Sequence, residues 1–434
     1  MNKTSPWAFI PTLYLAEGFP YIIINVVSVL LYADLGFKND TIAFWTGWLY
    51  LPWILKMFWS PLVDARGTKR RWLLGAQTVL GVLFLAIAAV IGLQAVQATQ
   101  TAGSVSLFTL TLFGFFFGAF ASATLDIATD GYYLLALSPE KQSAFVGIRT
   151  IFYRLAMILG SGILVSGVGA LATHGIAKPY NWVLFFAALG ILFIGFCAFH
   201  AAILPKPQAD KPVDLPQQTA WKEAFKTYFT QENILYILLF ILLYRFGEAL
   251  LEKIVPLFLL KPSAEGALGL SMEQYGLIKG TLGLGAIIAG NLLGGWLLGK
   301  FGFKKCIWPF ALALVLPNFF YVYLALAKPG LAMVAALITV ENFGYGLAMM
   351  ALTVFIMYVS QGQYKTSHYA ISTGIMALGM MVPSMLSGKM QVAMGYETFF
   401  WVACAISLVT FFIVPLAFKI KVLDETERKF HGEK

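Results

Sequence analysis

Apolar runs of about 20 residues recur from end to end of this chain, separated by short polar segments. A helix rises about 1.5 Å per residue, so each run is long enough to cross a hydrocarbon layer roughly 30 Å thick. The pattern predicts twelve helical spans: 7–32, 41–62, 72–94, 106–136, 143–171, 180–204, 234–260, 273–299, 306–327, 331–359, 367–392 and 397–419. No period-two alternation of the membrane-barrel kind is visible. The first run, near Trp7 to Leu31, is too long for the apolar region of a signal peptide and lacks a small-residue cleavage site. It reads as an uncleaved first span. The expected fold class is an all-α polytopic membrane protein.

The longest stretch without an apolar run is 205–233, midway along the chain. It divides the protein into a six-helix bundle (1–204), a linker (205–233) and a second six-helix bundle with a short tail (234–434). Within the linker, Trp221-Lys-Glu-Ala-Phe225-Lys-Thr-Tyr228-Phe229 places apolar residues at helical spacing with Lys between them. That pattern predicts a short helix lying in the membrane interface. A plain linker with chance periodicity is the alternative.

Composition agrees with the pattern. Of 434 residues 59% are hydrophobic and only 12% charged, too few to cover a soluble protein of this size. A net charge of +9 raises the question of nucleic acid, but the basic residues cluster in alternate loops. With a cytoplasmic N-terminus, the inner segments hold Arg66, Lys69, Arg70, Arg71, Lys206, Lys211, Lys300, Lys304, Lys305, Lys419 and Lys421, among others. The outer loops then hold only Lys38, Lys178, Lys261 and Lys328. The positive-inside rule therefore puts both termini in the cytoplasm. The three Cys lie in apolar runs and the four His are not paired at ligand spacing, so no disulfide, metal or cofactor is expected. No His-Glu-x-x-His or Ser-x-x-Lys motif supports an intramembrane enzyme, and no Gly-rich nucleotide loop supports an ATP-driven pump. A monomer is the expected state.

Charges inside the apolar runs are the candidate chemistry, because ionised groups at membrane depth are costly and mark functional sites by default. Spans 4 and 5 form a hairpin around the polar turn Ser138-Pro-Glu-Lys-Gln142. Counting back from that turn, Asp126 lies level with Arg154, and Asp130 with Arg149. A switching role suits such pairs: a carboxylate that trades partners on protonation. A static pair pinning the two helices is the alternative. Glu17 sits mid-depth in span 1 beside Gly18 and Pro20, where a kink is permitted. It is either a proton or substrate contact or a structural hydrogen-bonder.

Lys56 lies near the end of span 2, close enough to the cytoplasmic face to snorkel. Asp64, with Arg70 and Arg71, belongs to a loop expected to lock one conformation. Span 7 carries Arg245, Glu248, Glu252 and Lys253 within nine residues, with Arg245 three residues before Glu248 so that the two share a helix face. Lys279 in span 8 needs an anion beside it, and Glu248, Glu252, Glu341 or a substrate carboxylate would serve. Glu341 and Asn342 sit together in span 10.

An internal repeat supports the division into six and six. Laid without gaps on Gly294–Lys305, the stretch Ser60–Arg71 brings Arg66, Arg70 and Arg71 onto Lys300, Lys304 and Lys305. Six-span repeats with basic loops at these places resemble the major facilitator superfamily, whose halves rock around a midplane site. Within it, Asp126-Ile-Ala-Thr-Asp130, Leu137-Ser-Pro139-Glu140 and Tyr153-Arg154-Leu-Ala-Met157 resemble the AmpG-type muropeptide permeases and the wider group that includes acetyl-coenzyme A transporters. So do Leu55-Lys56-Met-Phe-Trp59-Ser60-Pro61, Tyr244-Arg-Phe-Gly247-Glu248, Gly276-Leu-Ile-Lys279-Gly-Thr-Leu-Gly283 and Thr366-Ser-His-Tyr-Ala370. The chain departs from the permeases at Leu125, where a Gln is frequent, and at Glu17.

The resemblance implies a proton-coupled importer of anhydromuropeptides, anionic sugar–peptide conjugates released by wall turnover, in the bacterial inner membrane. Asp126, Asp130, Glu17 and Glu248 are then expected to take the proton. Arg154, Arg245 and Lys279 are expected to take substrate carboxylates, together with Glu341 and Asn342, and Tyr14, Tyr21 and Trp48 to meet sugar faces. Asp64, Arg70, Arg71, Arg149 and Lys56 are expected to gate. The expected partners are substrate, protons and the lipid bilayer. Transport of another anionic conjugate, such as acetyl-coenzyme A or a siderophore, or drug export, is the alternative.

Overall fold

The computed structural model describes residues 5–97, 105–176, 178–212, 218–360 and 365–421. Among these there is no β-strand, and ten helices are long and apolar enough to cross a membrane. The last of them, Ser367–Ala417, covers two predicted spans. Its path turns at Gly395, which adopts φ 76°, a left-handed conformation that side chains resist. One further span is interrupted rather than missing. Asn39–Gly47 and Leu51–Ala65 are joined by a tight turn at Trp48–Tyr50, immediately before Pro52. The architecture is thus consistent with twelve spans in an all-α membrane protein, and the span numbers above are kept below.

Sequence signals account for the helix ends. Pro11, Pro52 and Pro139 sit in first turns, where a missing N–H costs nothing. Span 8 opens on a capping box in which Ser271 accepts from the Gln274 backbone and the Gln274 side chain accepts from the Ser271 N–H. Span 3 starts at Lys69, and its first two free N–H groups are taken by Asp210 of the linker (Lys69 N to Oδ1 2.6 Å, Arg70 N to Oδ2 3.1 Å). A carboxylate there answers both the orphan donors and the helix dipole.

The chain forms two compact units: Met1–Gly36, Trp48–Leu215 and Ser271–Thr281 make the first; Phe37–Gly47, Pro216–Leu270 and Leu282–Lys434 make the second. In the first unit, spans 1 and 5 approach so closely that a Cβ on Gly18 would meet the Tyr153 carbonyl and Ala156. In the second, an aromatic stack of Phe240, Tyr244, Phe303 and Phe355 fills the core, with Phe240 and Phe355 ring centroids 4.1 Å apart. Since lipid is as apolar as these rings, close packing rather than water exclusion holds them together.

Three spans carry a widened turn. These π-helical segments are Ile23–Val27 in span 1, Leu159–Ile163 in span 5 and Gly276–Gly283 in span 8. The first follows Pro20, as the Gly18–Pro20 kink signal predicts. Span 7 breaks outright at Tyr244–Arg245. The linker helix is present at Gln218–Phe229, and it is tied to span 11 by Tyr228 with Ser372 (2.8 Å) and Thr227 with His368 (3.0 Å).

Candidate functional site

The candidate charged side chains inside the spans gather into a cluster in each unit. In the first unit, spans 1, 2, 4 and 5 contribute. Arg149 donates to Asp130 (Nη1 to Oδ1 2.9 Å), as the depth count along the hairpin predicts. Tyr14 closes the arrangement: its hydroxyl donates to the same Asp130 oxygen (2.9 Å) and accepts from Arg149 (3.1 Å), and the guanidinium also lies over the Tyr14 and Tyr133 rings. With only 3% of its surface exposed, Tyr14 is a member of the ion-pair cluster and does not present a ring for a sugar.

The other predicted rung is different. Asp126 takes Lys56 of span 2 as an ion-pair partner. Lys56 therefore does not snorkel; it turns inward to a carboxylate. The observed helix ends give the two a common depth: Lys56 lies nine residues before Ala65 and Asp126 ten before Ala136. Arg149 and Arg154 are five residues apart, so they point to diverging faces of span 5. Arg154 is half-buried, and Tyr153 beside it lies within electrostatic range of Glu17, Asp126 and Tyr21.

Glu17 completes this cluster. It is buried (6% exposed), lies within electrostatic range of Asp126, Asp130 and Lys56, and has one carboxyl oxygen with no hydrogen-bond partner. Both ion pairs are partly exposed: the Asp130 side chain is 49% exposed and that of Asp126 20%.

In the second unit the cluster surrounds Tyr345. The break in span 7 leaves Arg245 as the residue capping the new helix Phe246–Leu260, and its guanidinium donates to the Tyr345 hydroxyl while lying over that ring, 4.9 Å from the centroid. The expected Arg245–Glu248 helix-face pair rests on an unbroken helix, and Arg245 is not in the helix that holds Glu248. Glu248, Glu252 and Glu341 all lie within electrostatic range of the same phenol. Glu341 is held by Tyr321 (2.9 Å) and by its neighbour Asn342 (2.8 Å), whose amide also donates to Ile338 (2.7 Å). Sequence reasoning missed Tyr321, and assigned Tyr345 no polar role.

The remaining predicted residues are placed as follows. Lys279 is half-buried in the π-helical turn of span 8. Tyr21 packs edge-on against Trp53 (5.3 Å), and Trp48 keeps a partly exposed ring at the break in span 2. Arg70 donates to the Ala201 carbonyl at the end of span 6 (2.5 Å). Arg71 is exposed, with its backbone N–H on Thr68 (3.1 Å). The side chain of Asp64 lies outside the described positions. Among the described residues, no group of three or more His, Cys, Asp or Glu is arranged to hold a metal ion.

Comparison with known proteins bears on the family and the fold. The family model of the Major Facilitator Superfamily matches residues 12–364 and 244–433. The chain is 27% identical over 353 residues to a protein of Escherichia coli (strain K12) named anhydromuropeptide permease, covering 80% of this chain and 67% of that one. It is 25% identical over 376 residues to a Rickettsia conorii protein named as transporter AmpG 4, covering 84% and 85%. Among solved structures it resembles a D-xylose–proton symporter (TM-score 0.70, 14% identity, 94% and 96% covered). It also resembles a bacterial homologue of the lysosomal transporter Spinster (TM-score 0.69, 14% identity, 100% and 98% covered).

Proposed function

This chain belongs to the Major Facilitator Superfamily and is a multi-pass membrane transporter of a small molecule, and we propose that its substrate is an anhydromuropeptide imported with protons. The observation that carries the proton half of the reading is the buried carboxyl of Glu17, which lies within electrostatic range of Asp126 and Asp130. Asp126 and Asp130 have Lys56 and Arg149 as ion-pair partners, and a carboxyl gathered with two others is where a bound proton fits. Loss of that proton leaves an uncompensated buried carboxylate, which is costly, so protonation and the arrangement of spans 1, 2, 4 and 5 are linked.

The substrate half rests on the names of the relatives and on the chemistry of the second cluster. Arg245 donates to a phenol, which carries no charge near neutral pH, and its buried Nε has no hydrogen-bond partner, so it is a candidate for a substrate carboxylate. Arg154 and Lys279 are further candidates for substrate carboxylates, and Tyr21 and Trp48 for sugar faces. We place both termini in the cytoplasm and the protein in the bacterial inner membrane, from the distribution of Lys and Arg.

Uptake of labelled anhydromuropeptide into proteoliposomes tests the reading. Accumulation is expected with an inward proton gradient and not without one. Absence of uptake under any gradient refutes the substrate; uptake indifferent to the gradient refutes the coupling. Uptake of a labelled coenzyme A thioester, where labelled muropeptide is not taken up, moves the substrate to the other anionic conjugate.

A further inference from the structure

A cavity of about 530 Å³ opens on the first unit. Its size falls in the range of ligand clefts, roughly 300–1,000 Å³. The floor and walls come from spans 3 and 4: Gly75, Ala76, Val79, Phe117, Phe120 and Ala121. Val79 and Phe117 are about half exposed, as side chains that face lipid are. One end of the cavity is polar and basic. There Arg66, Arg71 and Trp72 of the loop after span 2 and the start of span 3 form the rim.

Two features set this rim apart from an ordinary basic loop. The Trp72 indole N–H donates to the Arg66 carbonyl (2.7 Å), which fixes the loop over the start of the helix. Both guanidiniums are exposed, and among the described residues neither has a carboxylate partner. The internal repeat supplies a contrast. Lys300, which aligns with Arg66, lies over its own unit's Trp296 and Phe301 rings (4.9 and 5.2 Å). In the second unit the cation is taken up by local aromatics; in the first it is left at the mouth of an apolar groove.

We propose that this cavity is a binding site for an anionic phospholipid of the leaflet next to the Arg66 loop, with the headgroup phosphate on Arg66 and Arg71 and an acyl chain in the groove over Gly75. Charge complementarity selects the headgroup and the lipid-facing floor selects the chain, so the occupant reaches the site from the bilayer. Gly75 is the position that keeps the groove open: a Cβ there would meet nothing within 4 Å. The proposal uses only the membrane setting of the chain, not the identity of its substrate.

Native mass spectrometry of the full-length protein, incubated with phosphatidylglycerol or with phosphatidylcholine of the same chains, tests it. The wild type is expected to retain phosphatidylglycerol in preference. A basic residue near an anionic lipid surface is worth about fivefold in affinity, so the double variant Arg66→Gln/Arg71→Gln is expected to lose retention by roughly 25-fold. Gly75→Leu fills the groove without displacing a neighbour and is expected to lower retention of both lipids, with helical content and elution volume unchanged. Equal retention of the two lipids by the wild type overturns the proposal, and so does unchanged phosphatidylglycerol in either variant.

Discussion

Lys56 and Arg245 are both cations on interrupted spans, and they use their charge differently. Lys56, past the turn at Trp48–Tyr50, is paired with the carboxylate of Asp126. Arg245, at the break in span 7, is bound to the hydroxyl and ring of Tyr345. A carboxylate partner can be neutralised by a proton, which frees the lysine. A phenol stays neutral through physiological pH, so the arginine keeps its partner and its charge. On the proposed function, the first unit is the one that senses protons and the second is the one that offers a fixed positive charge to substrate.

The sharpest way to break this comparison is to neutralise one carboxylate in each cluster. Asp126→Asn is expected to reduce gradient-driven uptake to background while expression persists. Glu341→Gln, which keeps a hydrogen-bonding group for Tyr321 and Asn342, is expected to lower uptake but leave its dependence on the gradient. If both variants lose gradient dependence alike, the two clusters do not divide the work.

A smaller effect is expected at the second cation. Arg245→Gln removes a charged hydrogen-bonding group, worth about 1.5–3 kcal/mol, or roughly ten- to a hundredfold. The loss should appear in the KM for an anionic substrate, with the proton dependence of transport unchanged. A change confined to the proton dependence would assign Arg245 to the first cluster's role. The smallest effect compares the two phenols by thermal unfolding in detergent. Tyr14→Phe strips a hydroxyl that serves both Asp130 and Arg149, and should cost roughly 1–3 kcal/mol. Tyr345→Phe removes one bond and keeps the cation–ring contact, so it should cost less. The reverse order would mean that the hydroxyl of Tyr345, not its ring, holds Arg245.

Much of this was legible in the chain. Apolar run length gave the helical membrane class, because only a helix of about 20 residues satisfies its own backbone while crossing lipid. The Asp130–Arg149 pair followed from counting 1.5 Å per residue back from one short turn. The same count assumes a continuous helix. Span 7 breaks at Tyr244–Arg245, so Arg245 caps the helix that holds Glu248 instead of lying within it. Pairing across non-adjacent spans is also hidden. Lys56 and Asp126 match in depth, but depth alone does not say which spans are neighbours.

By itself, then, the sequence determined that the protein is a helical membrane protein with charges at fixed depths in particular spans, since hydrophobic length and helical rise are local quantities. The tertiary structure decided the partners: Lys56 for Asp126, Tyr14 for Asp130, Tyr345 for Arg245, with Glu17 in electrostatic range of Asp126. Those choices depend on which helices lie side by side, where each one bends and how its faces are turned. None of these is fixed by a residue's neighbours along the chain.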